Sequence, residues 1–225
     1  MYKYVFLDTD DTILDFLKTE RQAITKTFKQ FGLDPTDELI ALYSGINQSC
    51  WERLERGEIT RARVLIERFE LLFAELDVDL DPQEVEDVYQ ALLGESHFFV
   101  EGAEDIIAYL SPKYHLYIAS NGVAATQDSR LASSGILPHF DDVFISERTG
   151  YHKPEREYFD YCFARIPGFR PEEAIIVGDS LSSDILGGKN AGIATCWFNY
   201  RNRPAREGIQ PDYTIYKLEE LKEIL

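Results

Sequence analysis

The segment Asp8-Thr9-Asp10-Asp11-Thr12 follows directly on the apolar run Tyr4 to Leu7. Two carboxylates spaced by two residues at the exit of a buried strand can point into one cleft, where their mutual repulsion is costly unless a cation shares the site. Taken alone, the segment also reads as a polar turn with helix-capping residues. Three later segments stand in equivalent places. Ser120-Asn121-Gly122 follows the run Leu116 to Ala119 and offers a hydroxyl, an amide and a pliant backbone suited to phosphate oxygens. Lys153-Pro154 offers a cation at a helix start, and Gly178-Asp179-Ser180 follows Ile175 to Val177, with Asp184 five residues beyond Asp179. Singly these are a turn, a helix start and a cap. Together, Asp8, Asp10, Asp179 and Asp184 form an oxygen-only set suited to magnesium, with Thr12 closing the first motif.

The elements that must position these residues are legible in the hydropathy pattern. Apolar, β-branched or aromatic runs at Tyr4 to Leu7, Leu116 to Ala119, Val143 to Ile145, Ile175 to Val177, Thr195 to Phe198 and Tyr213 to Tyr216 read as buried strands. Helical patterns at Ala103 to Leu110, Glu155 to Arg165 and Ser182 to Asn190 alternate with them, which predicts a parallel sheet covered on both faces. In such sheets ligands bind beyond the carboxyl ends of the strands, where all four motifs fall. The roughly 100 residues between the first two strands exceed what one crossover needs. From Thr19 to Leu93 their pattern is helical: Ala23, Ile24, Phe28 and Phe31 make one stripe, and Asp81-Pro82-Gln83-Glu84 is a helix start. The fold class is therefore α/β, a Rossmann-like parallel sheet core (1–16 and 95–225) with an inserted α-helical cap (17–94).

In these four motifs the whole chain resembles the haloacid dehalogenase superfamily of phosphohydrolases. Asp8-x-Asp10-x-Thr12, Ser120, Lys153 and Gly178-Asp179-x-x-x-x-Asp184 match its pattern in order, and a helical cap after the first motif is a family trait. Asp11 departs from it, since many relatives have glycine there. Within the superfamily the chain is most similar to the pyrimidine 5′-nucleotidase branch acting on noncanonical nucleotides, through Asp10 to Phe16 and the cap stretches Ile46-Asn47-Gln48 to Trp51, Gly57 to Thr60 and Arg68-Phe69. The resemblance implies a Mg²⁺-dependent phosphomonoester hydrolase with Asp8 as nucleophile and Asp10 as general acid and base. Magnesium would be held by Asp8, the Asp10 main-chain carbonyl and Asp179, with Asp184 ordering its surroundings. Lys153, Ser120 and the backbone near Asn121 and Gly122 would neutralise the phosphoryl oxygens, and Asn47 and Trp51 would read the leaving group. The expected partner is a small phosphorylated molecule, a nucleotide by this resemblance. A phosphoglycolate or sugar-phosphate phosphatase or mutase shares every catalytic group. A carbon–halogen hydrolase would lack the second aspartate, and a catalytically silent binding protein would not need the full set.

Composition narrows the classes further. Forty acidic against 23 basic side chains give a formal charge of −17 over 225 residues, the wrong sign for a nucleic-acid polymer or an anionic membrane surface. Cys50, Cys162 and Cys196 have neither disulfide nor zinc spacing and read as buried thiols. No apolar run approaches the roughly 20 residues of a membrane span, and the start MYKYVFLD lacks the features of a secretory signal, so the cytoplasm is the expected compartment. Arg201, Arg203 and Arg206 read as a solvated basic loop.

Overall fold

The structure, a computed structural model, describes residues Met1–Leu225 and divides into two compact units, Met1–Phe16 with His97–Leu225 and Leu17–Ser96. In the first unit six parallel strands, β1 (Tyr4–Leu7), β2 (His115–Ser120), β3 (Asp142–Ile145), β4 (Ala174–Gly178), β5 (Ala194–Phe198) and β6 (Tyr213–Ile215), lie in the order β3-β2-β1-β4-β5-β6. Both β1 and β4 are buried along their whole length, which is why they read as unbroken apolar runs. The period of two divides their side chains between two cores: Val5 and Leu7 pack with Ile107, Leu110 and Leu131 on one face, while Phe6 packs with Phe144, Tyr158 and Phe159 on the other. At about 1.5–3 kcal/mol for each large apolar side chain buried, these two layers fix the register of the central strands. The strand order reverses between β1 and β4, so the crevice of the sheet opens at the carboxyl ends of these two strands.

The second unit is helical. It comprises α1 (Phe16–Gln30, entered from the first unit), α2 (Asp37–Glu55), α3 (Arg61–Leu76) and α4 (Pro82–Gly94). Thr36, Thr60 and Asp81 cap the last three through side-chain oxygens that accept the otherwise unpaired N–H of Leu39, Arg63 and Gln83. Its aromatic centre packs Tyr43 against Phe28, Phe69 and Tyr89 with ring centroids 5.3–6.1 Å apart. Phe31, expected in the buried stripe of α1, is only half-buried, because the chain turns away at Gly32 in a left-handed conformation. All three cysteines are buried and free, and no helix is long and apolar enough to cross a membrane.

Flanking the sheet are α5 (Ala103–Leu110), α6 (Ala124–Ser134), α7 (Ser146–Thr149), α8 (Arg156–Phe163) and α9 (Leu186–Ala191). The helix expected over Ser182 to Asn190 divides into a widened π turn, Leu181–Ile185, followed by α9. Within that turn Asp184 reaches back toward the strand end, where its Oδ2 accepts from the Ser180 N–H at 3.1 Å.

Candidate active site

The Asp8 N–H donates to the Val177 carbonyl at 3.0 Å, prolonging the β1–β4 ladder by one residue and placing the Asp8 side chain at the mouth of the crevice. Beyond it the chain closes a tight loop: the N–H groups of Ile13 and Leu14 donate to Thr9, and that of Asp11 to Leu14. Asp11 takes a φ of 61°, a left-handed conformation usually reserved for glycine. Its carboxylate offsets the cost by accepting from the Phe16 N–H at 3.1 Å, the Tyr200 hydroxyl at 3.2 Å and Arg201 Nη2 at 2.7 Å. The departure from glycine at this position is therefore compensated by a side-chain anchor.

Carboxylate oxygens of Asp8, Asp179 and Asp184 all lie within 4.8 Å of one another. Lys153, 1% exposed, sits among them, its Nζ 2.7 Å from Asp8 Oδ1, 2.7 Å from Asp184 Oδ1 and 2.6 Å from the Ala119 carbonyl. Burial works against the ammonium, but the carboxylates of Asp184 and Asp8 outweigh it and hold its pKa above the usual lysine range. Burial pushes the Asp8 carboxyl up to about 8; Lys153 opposes the shift, and Asp184 and Asp10 add to it. Asp179 is likewise raised well above the usual carboxylate range, by burial first and then by Asp11, Asp8 and Asp184, with Arg203 opposing. Around the crevice the carboxylates of Asp8, Asp10, Asp11, Asp179 and Asp184 face four cations, Lys153, Arg130, Arg201 and Arg203, so one carboxylate is left over in a buried place. A hard, oxygen-seeking dication fits this set of donors and this charge.

The Asp10 carboxylate turns away from that triad. Its Oδ1 accepts from Arg130 Nη1 at 2.5 Å and its Oδ2 from Gln127 Nε2 at 2.6 Å. Any bond from Asp10 to a metal would thus come from the main-chain carbonyl. Ser120, 1% exposed, accepts from Gln127 Nε2 at 2.9 Å and from the Gly122 N–H at 3.1 Å. Thr12 is fully buried and its hydroxyl meets no partner in the chain.

Several expectations need amending. The Asn121 side chain grips the Lys153 backbone, donating to its carbonyl at 2.8 Å and accepting from its N–H at 2.9 Å; it holds the lysine, and its amide is not free for phosphate. Asn47 belongs to the helical unit, 3% exposed, with Nδ2 donating to Glu20 at 2.7 Å and Oδ1 accepting from Arg68 at 2.8 Å. That amide bridges Glu20 and Arg68 in a buried network that includes Glu86, so both its polar atoms are engaged within the helical unit. Trp51 is half-buried beside Cys50, Leu54 and Val64. Arg201 and Arg203 are not a solvated pair: the first binds Asp11 and the second reaches Asp179 at 3.4 Å, drawn in by the acid cluster. Gln127 and Arg130 carried no motif of their own. The signal that could have found them is their spacing of three on the helix after Ser120-Asn121-Gly122, which puts both on one face above the site.

Residues 2–192 match the model of the haloacid dehalogenase-like hydrolase family. The chain is 44% identical to the HAD-hydrolase YfnB of Bacillus subtilis, covering 100% of this chain and 95% of that protein. It is 35% identical to the pyrimidine 5′-nucleotidase PynA of Streptococcus pneumoniae (100% and 95% covered) and 31% identical to the pyrimidine 5′-nucleotidase YjjG of Escherichia coli (100% and 98% covered). The magnesium-bound crystal structure of YfnB superposes with a TM-score of 0.96 over 100% of this chain and 98% of that one. With its parallel sheet, its four strand-end motifs and these similarities over its full length, the chain belongs to the haloacid dehalogenase-like hydrolases.

Proposed function

We propose that this protein is a magnesium-dependent phosphomonoesterase that acts through an aspartyl-phosphate on Asp8, with pyrimidine nucleoside 5′-monophosphates as its substrates. The observation that carries the reading is Lys153 Nζ held 2.7 Å from Asp8 Oδ1 in a buried crevice, beside a second aspartate, Asp10, whose carboxylate is held clear of that lysine. We read the buried Asp8 carboxylate, grouped with Asp179, Asp184 and Lys153, as the nucleophile, and Asp10, held apart from them by Arg130 and Gln127, as the acid. The nucleotide part rests on PynA and YjjG, both pyrimidine 5′-nucleotidases aligned over the whole chain.

In the first half-reaction an Asp8 oxygen bonds to phosphorus as the ester P–O bond breaks, and the leaving alkoxide takes a proton from Asp10. In the second, water attacks the phosphorus of the aspartyl-phosphate while the Asp10 carboxylate takes its proton, releasing phosphate and the free Asp8 carboxylate. The Ser120 hydroxyl donates to a phosphoryl oxygen as its charge grows, and the Lys153 ammonium, its three N–H bonds directed to Asp8, Asp184 and the Ala119 carbonyl, offsets that charge through space. Asn121 keeps Lys153 in place by holding its backbone. Asp8, Asp179, Asp184 and the Asp10 carbonyl would hold magnesium, which supplies charge neutralisation between these carboxylates and the phosphoryl group.

The test is kcat/KM across a phosphomonoester panel with magnesium: deoxyuridine and thymidine 5′-monophosphates, purine nucleotides, phosphoglycolate, a hexose phosphate and p-nitrophenyl phosphate. Fastest turnover of the two pyrimidine nucleotides is the expected result. A preference for phosphoglycolate or the sugar phosphate would remove the nucleotidase assignment and leave the phosphatase; no hydrolysis at all would remove both.

A further inference from the structure

Arg130 is 1% exposed and Gln127 1% exposed, an expensive place for a guanidinium and an amide unless their hydrogen bonds are met. What meets them is a closed ring of three residues. Arg130 Nη1 donates to Asp10 Oδ1 at 2.5 Å and to Gln127 Oε1 at 3.1 Å, and Gln127 Nε2 donates to Asp10 Oδ2 at 2.6 Å. The second hydrogen of Gln127 Nε2 goes to Ser120 Oγ at 2.9 Å. The ring settles the orientation of the amide: turned over, it would set its oxygen against a carboxylate and its NH₂ against a guanidinium.

Two consequences follow for the reacting groups. Each Asp10 oxygen spends one lone pair inside the ring, so the carboxyl plane is locked and only the remaining lone pairs can carry the proton that is transferred. Ser120 Oγ accepts from both Gln127 Nε2 and the Gly122 N–H, which uses its two lone pairs and leaves the hydroxyl proton as its one remaining hydrogen-bonding function. A hydroxyl in that state is a donor, the polarity that a phosphoryl oxygen needs. The backbone leaves room for this device: a β-carbon on Gly122 would lie 2.6 Å from Gln127 Nε2, too close for both to stay. Arg130 Nε and Nη2 have no partner in the chain, so the guanidinium is held by Asp10 and Gln127 together with the Phe16 ring 5.9 Å away.

We propose that Gln127 and Arg130 are positioning residues for proton transfer, a buried bracket that aims the Asp10 acid and fixes Ser120 as a donor. This rests on the phosphomonoesterase reading above. A residue that aims an acid matters most when the leaving group needs a proton and little when it departs as a stable anion.

Arg130→Met, Gln127→Leu and Gly122→Ala test it. The last leaves Asp10, Arg130 and Ser120 intact and displaces only the glutamine, so it remains informative if a buried-charge variant folds poorly. Initial rates are compared for p-nitrophenyl phosphate and for the alkyl monoester that the wild type hydrolyses fastest in the panel. The expected result is a fall in kcat of about 10²-fold on the alkyl ester against less than about fivefold on the nitrophenyl ester, with the added loss from Arg130→Met shrinking to about threefold or less in an Asp10→Asn background. Equal losses on both esters, or an undiminished loss in the Asp10→Asn background, overturn the positioning role while the phosphatase stands. A wild type that hydrolyses neither ester overturns the phosphatase reading, and the positioning role with it.

Discussion

A β-carbon on Gly178 would lie 2.1 Å from Asp184 Oδ2 and 2.2 Å from its carboxyl carbon. The end of β4 and the widened turn after it are thus packed to backbone contact, and the close approach delivers Asp184 to Lys153. Gly178→Ala must push that carboxylate off its seat. The expected cost is about 1–3 kcal/mol of stability from overpacking and about a 100-fold loss of kcat/KM from misplacement of Lys153. Urea unfolding and steady-state kinetics on the same preparation check it, and wild-type values for both would show that the turn yields freely.

Asp8→Asn preserves shape while removing the proposed nucleophile, and Asp184 remains to pair with Lys153. We expect a folded protein with kcat lowered by at least about 10³-fold. Acid-quenched wild type should carry covalent phosphate and the variant none; a labelled variant would place the nucleophile elsewhere.

The acid cluster makes stability depend jointly on pH and metal. Burial raises the Asp8 carboxyl to about 8 and Asp179 well above its usual range. For an acid whose pKa is raised by folding, the stabilising contribution is complete below the unfolded value near 4 and is lost as pH climbs through the folded value, because the folded state holds its proton longer. Without metal, this site therefore destabilises the protein progressively from about pH 4 to pH 8. Bound magnesium would supply the missing positive charge, so its effect on Tm should be larger at pH 8 than at pH 5, by about 3 °C or more. Thermal melts in EDTA and in magnesium at the two pH values decide this, and an equal or larger increment at pH 5 would contradict it.

Asp11 tests how a side chain offsets backbone strain. Asp11→Ala keeps a β-carbon in the left-handed region and loses the bonds to Phe16, Tyr200 and Arg201, whereas Asp11→Gly loses the same bonds but relieves the backbone. The alanine variant should be the less stable of the two by about 1 kcal/mol. Equal unfolding midpoints in urea would mean that the loop relaxes when the anchor is cut.

Local sequence was enough for the strands, because β1 and β4 are buried on both faces and leave unbroken apolar runs, and enough for Asp8, Ser120 and Asp179, because each sits within a residue or two of a run that hydrophobicity marks. Helix starts such as Asp81-Pro82 were equally legible, since capping is a contact between residues two or three apart. What only the tertiary structure decided were the partners of those groups. Asp10 meets Arg130 and Gln127 across more than 115 residues, Asp11 meets Arg201 across 190, and Arg203 is drawn to Asp179 from a loop that reads as solvated. Asn47 reads in the sequence as a ligand-contacting amide, and the packing of α1, α2 and α3 makes it a hydrogen-bond bridge between Glu20 and Arg68. The reason is common to all four. Periodicity and capping are set by neighbours along the chain, whereas which cation balances a buried carboxylate is set by which segments the sheet and helices bring within about 3 Å, and electrostatic pairing leaves no spacing rule in the sequence.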